Sequence, residues 1–386
     1  MDMRAAGTDC VIIGGGVISL AIARELKKRG VGKIAVVDRG PVGREASWAA
    51  AGMLAPNLEC ESVDEFHRFC AASLALYPRF AAELLDETGG DIELDRTGTL
   101  YLAFEEDEGA SALEKYRRQR AAGIAVERVS PEEVLKLEPL VSPKVQFGLF
   151  YPGDWQVENR KLVKAFEAFC RKEGVNLVEN VAAEKIILRD GRAVGVEAAA
   201  GTIFADQVIV AAGAWTSMIG VEGRGLKFPV KPVRGQMIAY RGEPGRFRHV
   251  IYSHRGYVVP RADGRILVGA TVEDVGFEKA TTAAGVKSLE VAAAEISPFV
   301  PDREPRENWS GLRPFAADGL PVIGPVPGIE GLFVATGHFR NGILLAPITA
   351  QITAEFVVRG TDSEYFSHFG PQRFAAASKT SARTNI

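Results

Sequence analysis

The sequence predicts a chain that is part α/β and part α+β, and three observations carry that prediction. A buried strand, Asp9-Cys10-Val11-Ile12-Ile13, runs into the glycine turn Gly14-Gly15-Gly16 and then a helix from Val17 to Arg29. A second apolar strand, Gly331-Leu332-Phe333-Val334-Ala335, runs into another glycine-bearing loop, Gly337-His338-Phe339-Arg340-Asn341-Gly342, more than 300 residues later. Between them lies a run of short strands with hairpin turns, the texture of an antiparallel sheet. The simplest arrangement joins both ends of the chain in one parallel-sheet domain and inserts a second domain between them.

The individual elements follow in order. Val17 to Arg29 carries apolar positions Leu20, Ile22, Ala23 and Leu26, ends on Lys27, Lys28 and Arg29, and stops at Gly30. Lys33 to Asp38 completes a βαβ unit whose strands are apolar throughout, as parallel strands covered on both faces must be. Ala46-Ser47-Trp48-Ala49-Ala50-Ala51-Gly52-Met53-Leu54 packs small residues tightly ahead of Pro56, which reads as a helix able to approach a flat ligand closely. Phe66 to Leu85 is a long amphipathic helix, Thr99 to Phe104 a strand, and Glu108 to Ala122, Pro131 to Leu135 and Arg160 to Glu173 are helices. Val175 to Glu179, Ala183 to Leu188, Ala193 to Ala198 and Thr202 to Ala205 read as strands, and Asp206 to Gly213 as a further buried strand. Gly235 to Tyr240, His249 to Ile251, Gly256 to Pro260 and Ile266 to Gly269 form the central sheet, with a hairpin at Asp263-Gly264. Thr282 to Ala294 and Gly342 to Val358 are helices, the latter expected to be interrupted or kinked at Pro347. The division is 1–85, 150–228 and 310–373 for the discontinuous domain, 86–149 and 229–309 for the inserted one, and 374–386 for a loose tail.

Size and composition set the outer limits. A chain of 386 residues with 47% apolar content has room for two or three packed domains. Forty-six basic against 49 acidic residues give a net charge of -3 and no field for nucleic acid. The four cysteines, Cys10, Cys60, Cys70 and Cys170, have no metal-ligand spacing and read as free thiols in a reducing compartment. The apolar run Val11 to Ala23 is shorter than the about 20 residues a membrane span needs. A soluble cytoplasmic protein without a metal is the expectation.

Gly14-x-Gly16-x-x-Ser19 between a strand and a helix is a dinucleotide signature. Gly14 permits the tight turn, Gly16 lets the backbone approach a pyrophosphate, and the helix N-terminus supplies N–H groups and positive dipole. Asp38 lies 22 residues beyond Gly16, where a carboxylate holds a ribose hydroxyl and would repel the 2′-phosphate of NADP. NAD and FAD remain; the small-residue segment Ser47 to Gly52 and the remote Gly337–Gly342 loop suit an extended cofactor and favour FAD. At the reacting end, Arg313 in Trp309-Ser310-Gly311-Leu312-Arg313-Pro314 is a candidate clamp for a substrate carboxylate. Arg340 and the hydroxyl of Tyr257 are candidates for the same site. No nucleophile–histidine–acid arrangement stands beside them. Hydride transfer from a neutral amine to a flavin needs no protein base, only position and desolvation.

Taken together, Gly14-Gly15-Gly16, Ala46 to Leu54, Gly311-Leu312-Arg313-Pro314 and the run from Gly337 to Pro347 resemble the glycine oxidase group of the D-amino acid oxidase family of FAD-dependent oxidoreductases. The resemblance extends from Asp9 to about Phe369. It implies a GR2-type flavoprotein with a Rossmann-like FAD domain and a mixed or antiparallel-sheet substrate domain. It implies oxidation of glycine by O2 and water to glyoxylate, ammonia and hydrogen peroxide, with sarcosine and small D-amino acids as further substrates, a role in thiazole and thiamine synthesis, and a homotetramer. It places carboxylate binding on Arg313, assisted by Tyr257, with Arg340 as the second active-site arginine. It places FAD contacts on Val17, Ile18, Asp38, Arg39, Ala46, Ser47, Ala51, Gly52, Met53, Ala183 and the run His338, Phe339, Arg340, Asn341, Gly342, Ile343 and Leu344. The family commonly has glutamate at the position of Asp38. Related enzymes carry a histidine near the substrate where this chain has Arg255, beside His254, and the Val272 position also varies. Monomeric sarcosine oxidases attach flavin through a cysteine late in the chain, whereas every cysteine here lies at or before Cys170, so FAD is expected to be non-covalent. The alternatives are a D-amino acid dehydrogenase that uses a non-oxygen acceptor and a non-catalytic FAD-binding protein.

Overall fold

The computed structural model describes residues 7–60, 62–224, 228–301 and 305–374. The expected tail from Ala375 lies outside them. Two large sheets dominate. In the first, nine-stranded sheet, β1 (Thr8–Ile13) pairs in parallel with β2 (Ile34–Val37) on one side and with the strand Gly201–Val210 on the other. Leu332–Thr336 pairs in parallel on the far side of Gly201–Val210, with Ile209 opposite Phe333. The two ends of the chain therefore meet in one sheet. Gly201–Val210 replaces the two strands expected there: its first half pairs antiparallel with Arg192–Ala198 and its second half parallel with β1.

Helix α1 (Val17–Lys28) is buried along most of its length, because it lies between this sheet and three further helices, α3 (Glu65–Thr88), Asn159–Lys172 and Gly342–Arg359. This explains the apolar run from Val17 to Ala23, broken only by Ser19. The helix Gly342–Arg359 is long and apolar enough to cross a membrane, yet 56% of it is buried inside the protein, as expected of a core helix.

The second, eight-stranded sheet is ordered Pro305–Ala316, Val230–Arg241, Arg265–Gly269, Gly256–Pro260, Val250–Ser253, Thr99–Ala103, Phe147–Tyr151 and Glu127–Val129. It is antiparallel except where Val250–Ser253 runs parallel to Thr99–Ala103. The sequence shows no strand signal over Pro305–Ala316, because its glycine and prolines speak against a central strand. The structure places it at the sheet edge, where Pro314 has no outer ladder to break.

The expected break at Pro347 does not occur: the helix Gly342–Arg359 runs through it. Proline removes the N–H that would bond the carbonyl of Ile343. Here the buried Tyr77 hydroxyl of α3 donates to that carbonyl at 2.5 Å, and the Ser73 hydroxyl donates to the next carbonyl, Leu344, at 2.6 Å. The neighbouring helix supplies what proline removed. Tyr77→Phe should lower the unfolding free energy by about 1–3 kcal/mol, read by chemical denaturation; an unchanged transition would show that the Ile343 carbonyl is satisfied without it.

Candidate active site

A cavity of about 800 Å³ runs from the first glycine loop to the second, a volume typical of a cofactor or ligand site. At one end, Gly14 sits at φ +102°, and a Cβ there would lie 2.4 Å from the Ala211 carbonyl oxygen, so only glycine fits the turn. Helix α1 begins without a side-chain cap of its own and without an acid in its first turn, leaving its positive end open to an anion. The Val17 N–H is met instead by Ser47 Oγ at 2.9 Å, whose own proton remains available to the cavity. Ser19 replaces the third glycine of the motif at no visible cost: it is fully buried and its hydroxyl donates to the Ala211 carbonyl.

Asp38 follows β2 and accepts the Gly15 N–H at 2.6 Å and the Gly40 N–H at 2.8 Å. Burial raises its pKa against the lowering effect of these two donors. Arg39 stacks over the Trp215 ring at 4.8 Å, and Ala183 closes the same end of the cavity.

The small residues that follow form a single-turn helix, α2 (Ala46–Ala49), and then the short strand β3 (Met53–Leu54), rather than one helix. Alanine and glycine are required at their contact: a Cβ on Gly311 would lie 2.5 Å from the Ala49 Cβ. Gly52, at φ +72°, would place a Cβ 2.1 Å from the Val157 carbonyl oxygen. The adjoining Ala51 carbonyl accepts a 2.6 Å bond from Arg261, which also donates to the Val157 carbonyl and to Asn159. Arg261 is buried, so this wall of the cavity is set by a guanidinium that reaches through the core from the second sheet.

The reacting end is built where the edge strand Pro305–Ala316 meets the second glycine loop. The Phe339 N–H donates to the Pro314 carbonyl at 3.0 Å, Phe315 bridges to His338, and the Phe315 and Phe339 rings meet edge to face at 5.0 Å. This junction holds Phe339 at φ +46° and brings Arg340 to the cavity that Arg313 lines. Arg313 donates from Nη1 to the Thr271 carbonyl at 3.0 Å and has no carboxylate partner among the described residues. Burial holds its pKa below the ordinary value and the charge of Arg340 adds to that, while the neighbouring Tyr257 hydroxyl and, more weakly, the charge of Glu59 oppose it. Its side chain passes over Gly235, where a Cβ would lie 2.2 Å from Nη1. Tyr257 contacts Met237 Sδ at 3.3 Å, and burial pushes its pKa up.

Arg340 differs from Arg313 because it is already paired. One Nη donates to Glu59 at 2.7 Å and to the Tyr252 hydroxyl at 2.5 Å, and Glu59 is the main cause of its raised pKa. Arg255 lines the mouth of the cavity, where Glu105 and Glu295 hold it; His254 beside it pairs with Glu108. Val272 lines the mouth and is 61% exposed.

The structure therefore brings Gly14, Gly16, Val17, Ile18, Asp38, Arg39, Ala46, Ser47, Ala51, Gly52, Met53, Ala183, Tyr257, Arg313, His338, Phe339, Arg340, Asn341, Gly342 and Ile343 to one cavity. Leu344 lies behind the wall, fully buried in the core. Sequence reasoning missed Glu59, Tyr252 and Arg261. Only Tyr252 had a signal: the hairpin that pairs Val250–Ser253 with Gly256–Pro260 sets it opposite Tyr257. Glu59 and Arg261 act across long separations with no motif around them.

Residues 9–356 match the FAD dependent oxidoreductase family model, and the chain belongs to that family. The glycine turn, the open N-terminus of α1 and the long cavity fit its cofactor. More particularly, the chain is similar to the glycine oxidase of Pseudomonas aeruginosa, at 36% identity over 90% of this chain and 94% of that one. It is 36% identical to the bifunctional protein ThiO/ThiG of Trichormus variabilis over 96% of this chain and 56% of that longer one. Among solved structures it is similar to the glycine oxidase of Geobacillus kaustophilus, with a TM-score of 0.88, 33% identity, and coverage of 95% and 98% of the two chains.

His338 is buried and contacts Thr349 Oγ1 through Nε2 at 3.1 Å; burial pushes its pKa down to about 3 from 6.5. It is therefore the neutral imidazole, with one ring N–H, and not an imidazolium acid at physiological pH. Between about pH 6.5 and about 3 the unfolded chain takes up a proton that the folded one refuses, so stability falls as pH drops through that window. His338→Gln should show a shallower fall in thermal melts across the same window; an identical slope would place the protonation elsewhere.

Proposed function

We propose that this protein oxidises glycine, and also sarcosine and small D-amino acids, with O2 as acceptor, giving glyoxylate, ammonia and hydrogen peroxide from glycine. One observation carries the reading: Arg313 is a half-buried guanidinium that faces the cavity with no acid partner among the described residues. A partly desolvated charge of this kind gains from an anion that completes it, and a planar carboxylate matches its donor fork. In this reading Arg313 binds the substrate carboxylate and the Tyr257 hydroxyl completes that contact. Arg340 closes the opposite side.

A flavin held between the two glycine loops would supply a two-electron acceptor for the α-hydrogen and the reactivity toward O2. The protein's own part is to bind the carboxylate, hold the amine uncharged beside neutral His338, and keep water from the buried wall formed by Ala51 and Met237. The imine product is released and hydrolysed. Similarity to the glycine oxidases supports the substrate, and similarity to ThiO/ThiG supports a place for the imine in thiazole synthesis.

The first sheet and its helices would form the FAD domain, and the second sheet the substrate domain. The FAD is held without a covalent bond in this reading: no cysteine lines the cavity, and all four are buried free thiols. Acid or heat denaturation should release all of the flavin into solution. The reading also makes the protein cytoplasmic.

Purified protein offered glycine, sarcosine, D-alanine, D-proline and L-amino acids, with peroxide and ammonia measured together, tests both reaction and acceptor. Turnover of glycine with matched peroxide and ammonia is the expected result. Arg313→Ala should lower kcat/KM for glycine by about 100-fold or more while the flavin content stays that of the wild type. Unchanged glycine kinetics would remove Arg313 from the site.

A further inference from the structure

Glu59 stands on a segment that is fastened from three sides. The fully buried Asp154 accepts the Asn57 N–H at 3.1 Å, the Asn57 side-chain amide at 2.8 Å and the Leu58 N–H at 2.7 Å. The buried Gln119 amide donates to the Asn57 carbonyl at 2.8 Å and to the Cys60 carbonyl at 3.0 Å, one on each side of Glu59. Lys115 donates to the Leu58 carbonyl at 2.8 Å. Six of the polar backbone and side-chain groups around Glu59 are thus committed to groups outside the segment. An acid on a free loop would sample solvent; this one is presented to the cavity, with its side chain 22% exposed and its carboxylate 2.7 Å from Arg340.

Arg313 and Arg340, both lining the cavity, therefore differ in electrostatic standing. Arg340 is offset by Glu59 and further engaged by the Tyr252 hydroxyl. At this end of the cavity, among the described residues, Arg313 is the arginine that has no carboxylate partner, since Arg255 is held by Glu105 and Glu295. One anionic group satisfies Arg313. A second anionic group on the same substrate would meet an arginine already neutralised and the acid that neutralises it. We propose that Glu59 is a specificity-determining residue, a fixed counter-ion of Arg340 that restricts the site to amines carrying one carboxylate and rejects those carrying two. This rests on the functional reading above and deepens it by defining the substrate class through charge.

Sarcosine and iminodiacetate isolate the effect. Both are N-substituted glycines and secondary amines; the N-substituent is a methyl group in one and a carboxymethyl group in the other. Glu59→Gln keeps an oxygen able to accept from Arg340 and removes the negative charge. It should raise the ratio of kcat/KM for iminodiacetate to that for sarcosine on the order of ten-fold or more, and Glu59→Ala should raise it as well. Glu59→Asp, which keeps the charge, should hold the ratio near the wild-type value.

The same charge effect is read without turnover from the perturbation of the flavin absorbance by malonate and by acetate. The Kd of malonate relative to acetate should fall by a similar factor in Glu59→Gln. A ratio unchanged in Glu59→Gln and Glu59→Ala, or equal losses for the one-carboxylate and two-carboxylate ligands, would overturn the proposal and leave Glu59 a structural anchor. If the wild type oxidises neither glycine nor sarcosine, the functional reading fails, and the malonate–acetate comparison still decides the role of Glu59.

Discussion

Arg313 is a half-buried guanidinium without a carboxylate beside it among the described residues, and the architecture of the reacting end follows from keeping it there. Taking such a charge even partly out of water carries a desolvation cost. The fold offers partial compensation: the Thr271 carbonyl accepts from Nη1, and the Tyr257 hydroxyl stands close. Gly235 leaves room for the side chain to lie across the neighbouring strand. None of these neutralises the charge. In the proposed reading an anion completes the site, which is the difference between a structural arginine and a binding one.

Holding that charge in place requires the two sheets to act together. The edge strand Pro305–Ala316 belongs to the second sheet through its long pairing with Val230–Arg241, which sets Arg313 opposite Val233. Its end also bonds to the loop that follows Leu332–Thr336, a strand of the first sheet. Near its middle, Gly311 receives α2 at Ala49. One strand therefore fixes the distance between the glycine loops and the Arg313 end of the cavity. Arg261 makes a second tie by holding the Ala51 carbonyl from the far sheet. Small residues recur at Gly52, Gly235 and Gly311 because backbone and side chains must approach closely at these ties.

Much of this was legible in the sequence where it is written locally. The strand–glycine–helix unit at Gly14 to Gly16, the acid at Asp38 and the glycine loop before Arg340 are each spelled out within a few residues, and the cavity contains them. Other features rest on partners far away in the chain. Pro347 reads as a break because its remedy, Tyr77, lies on another helix. Pro305–Ala316 reads as irregular because its prolines are tolerated only at an edge, a property of the sheet and not of the segment. Glu59 carries no motif; its role comes from Asp154, Gln119 and Arg340, which the fold gathers from three regions. The family resemblance named the arginines and the tyrosine, but the pairing that makes Arg313 and Arg340 unlike each other became visible only in three dimensions.

The central claim is that a charged carboxylate, and not the mere bulk of a small ligand, completes Arg313. Titrating the purified, oxidised holoprotein with acetate and with acetamide tests it directly, since the two match in size and shape and differ in charge. The account predicts a saturable perturbation of the flavin absorbance by acetate that competes with glycine, and no such perturbation by acetamide over the same concentrations. Equal responses to the two ligands would contradict it.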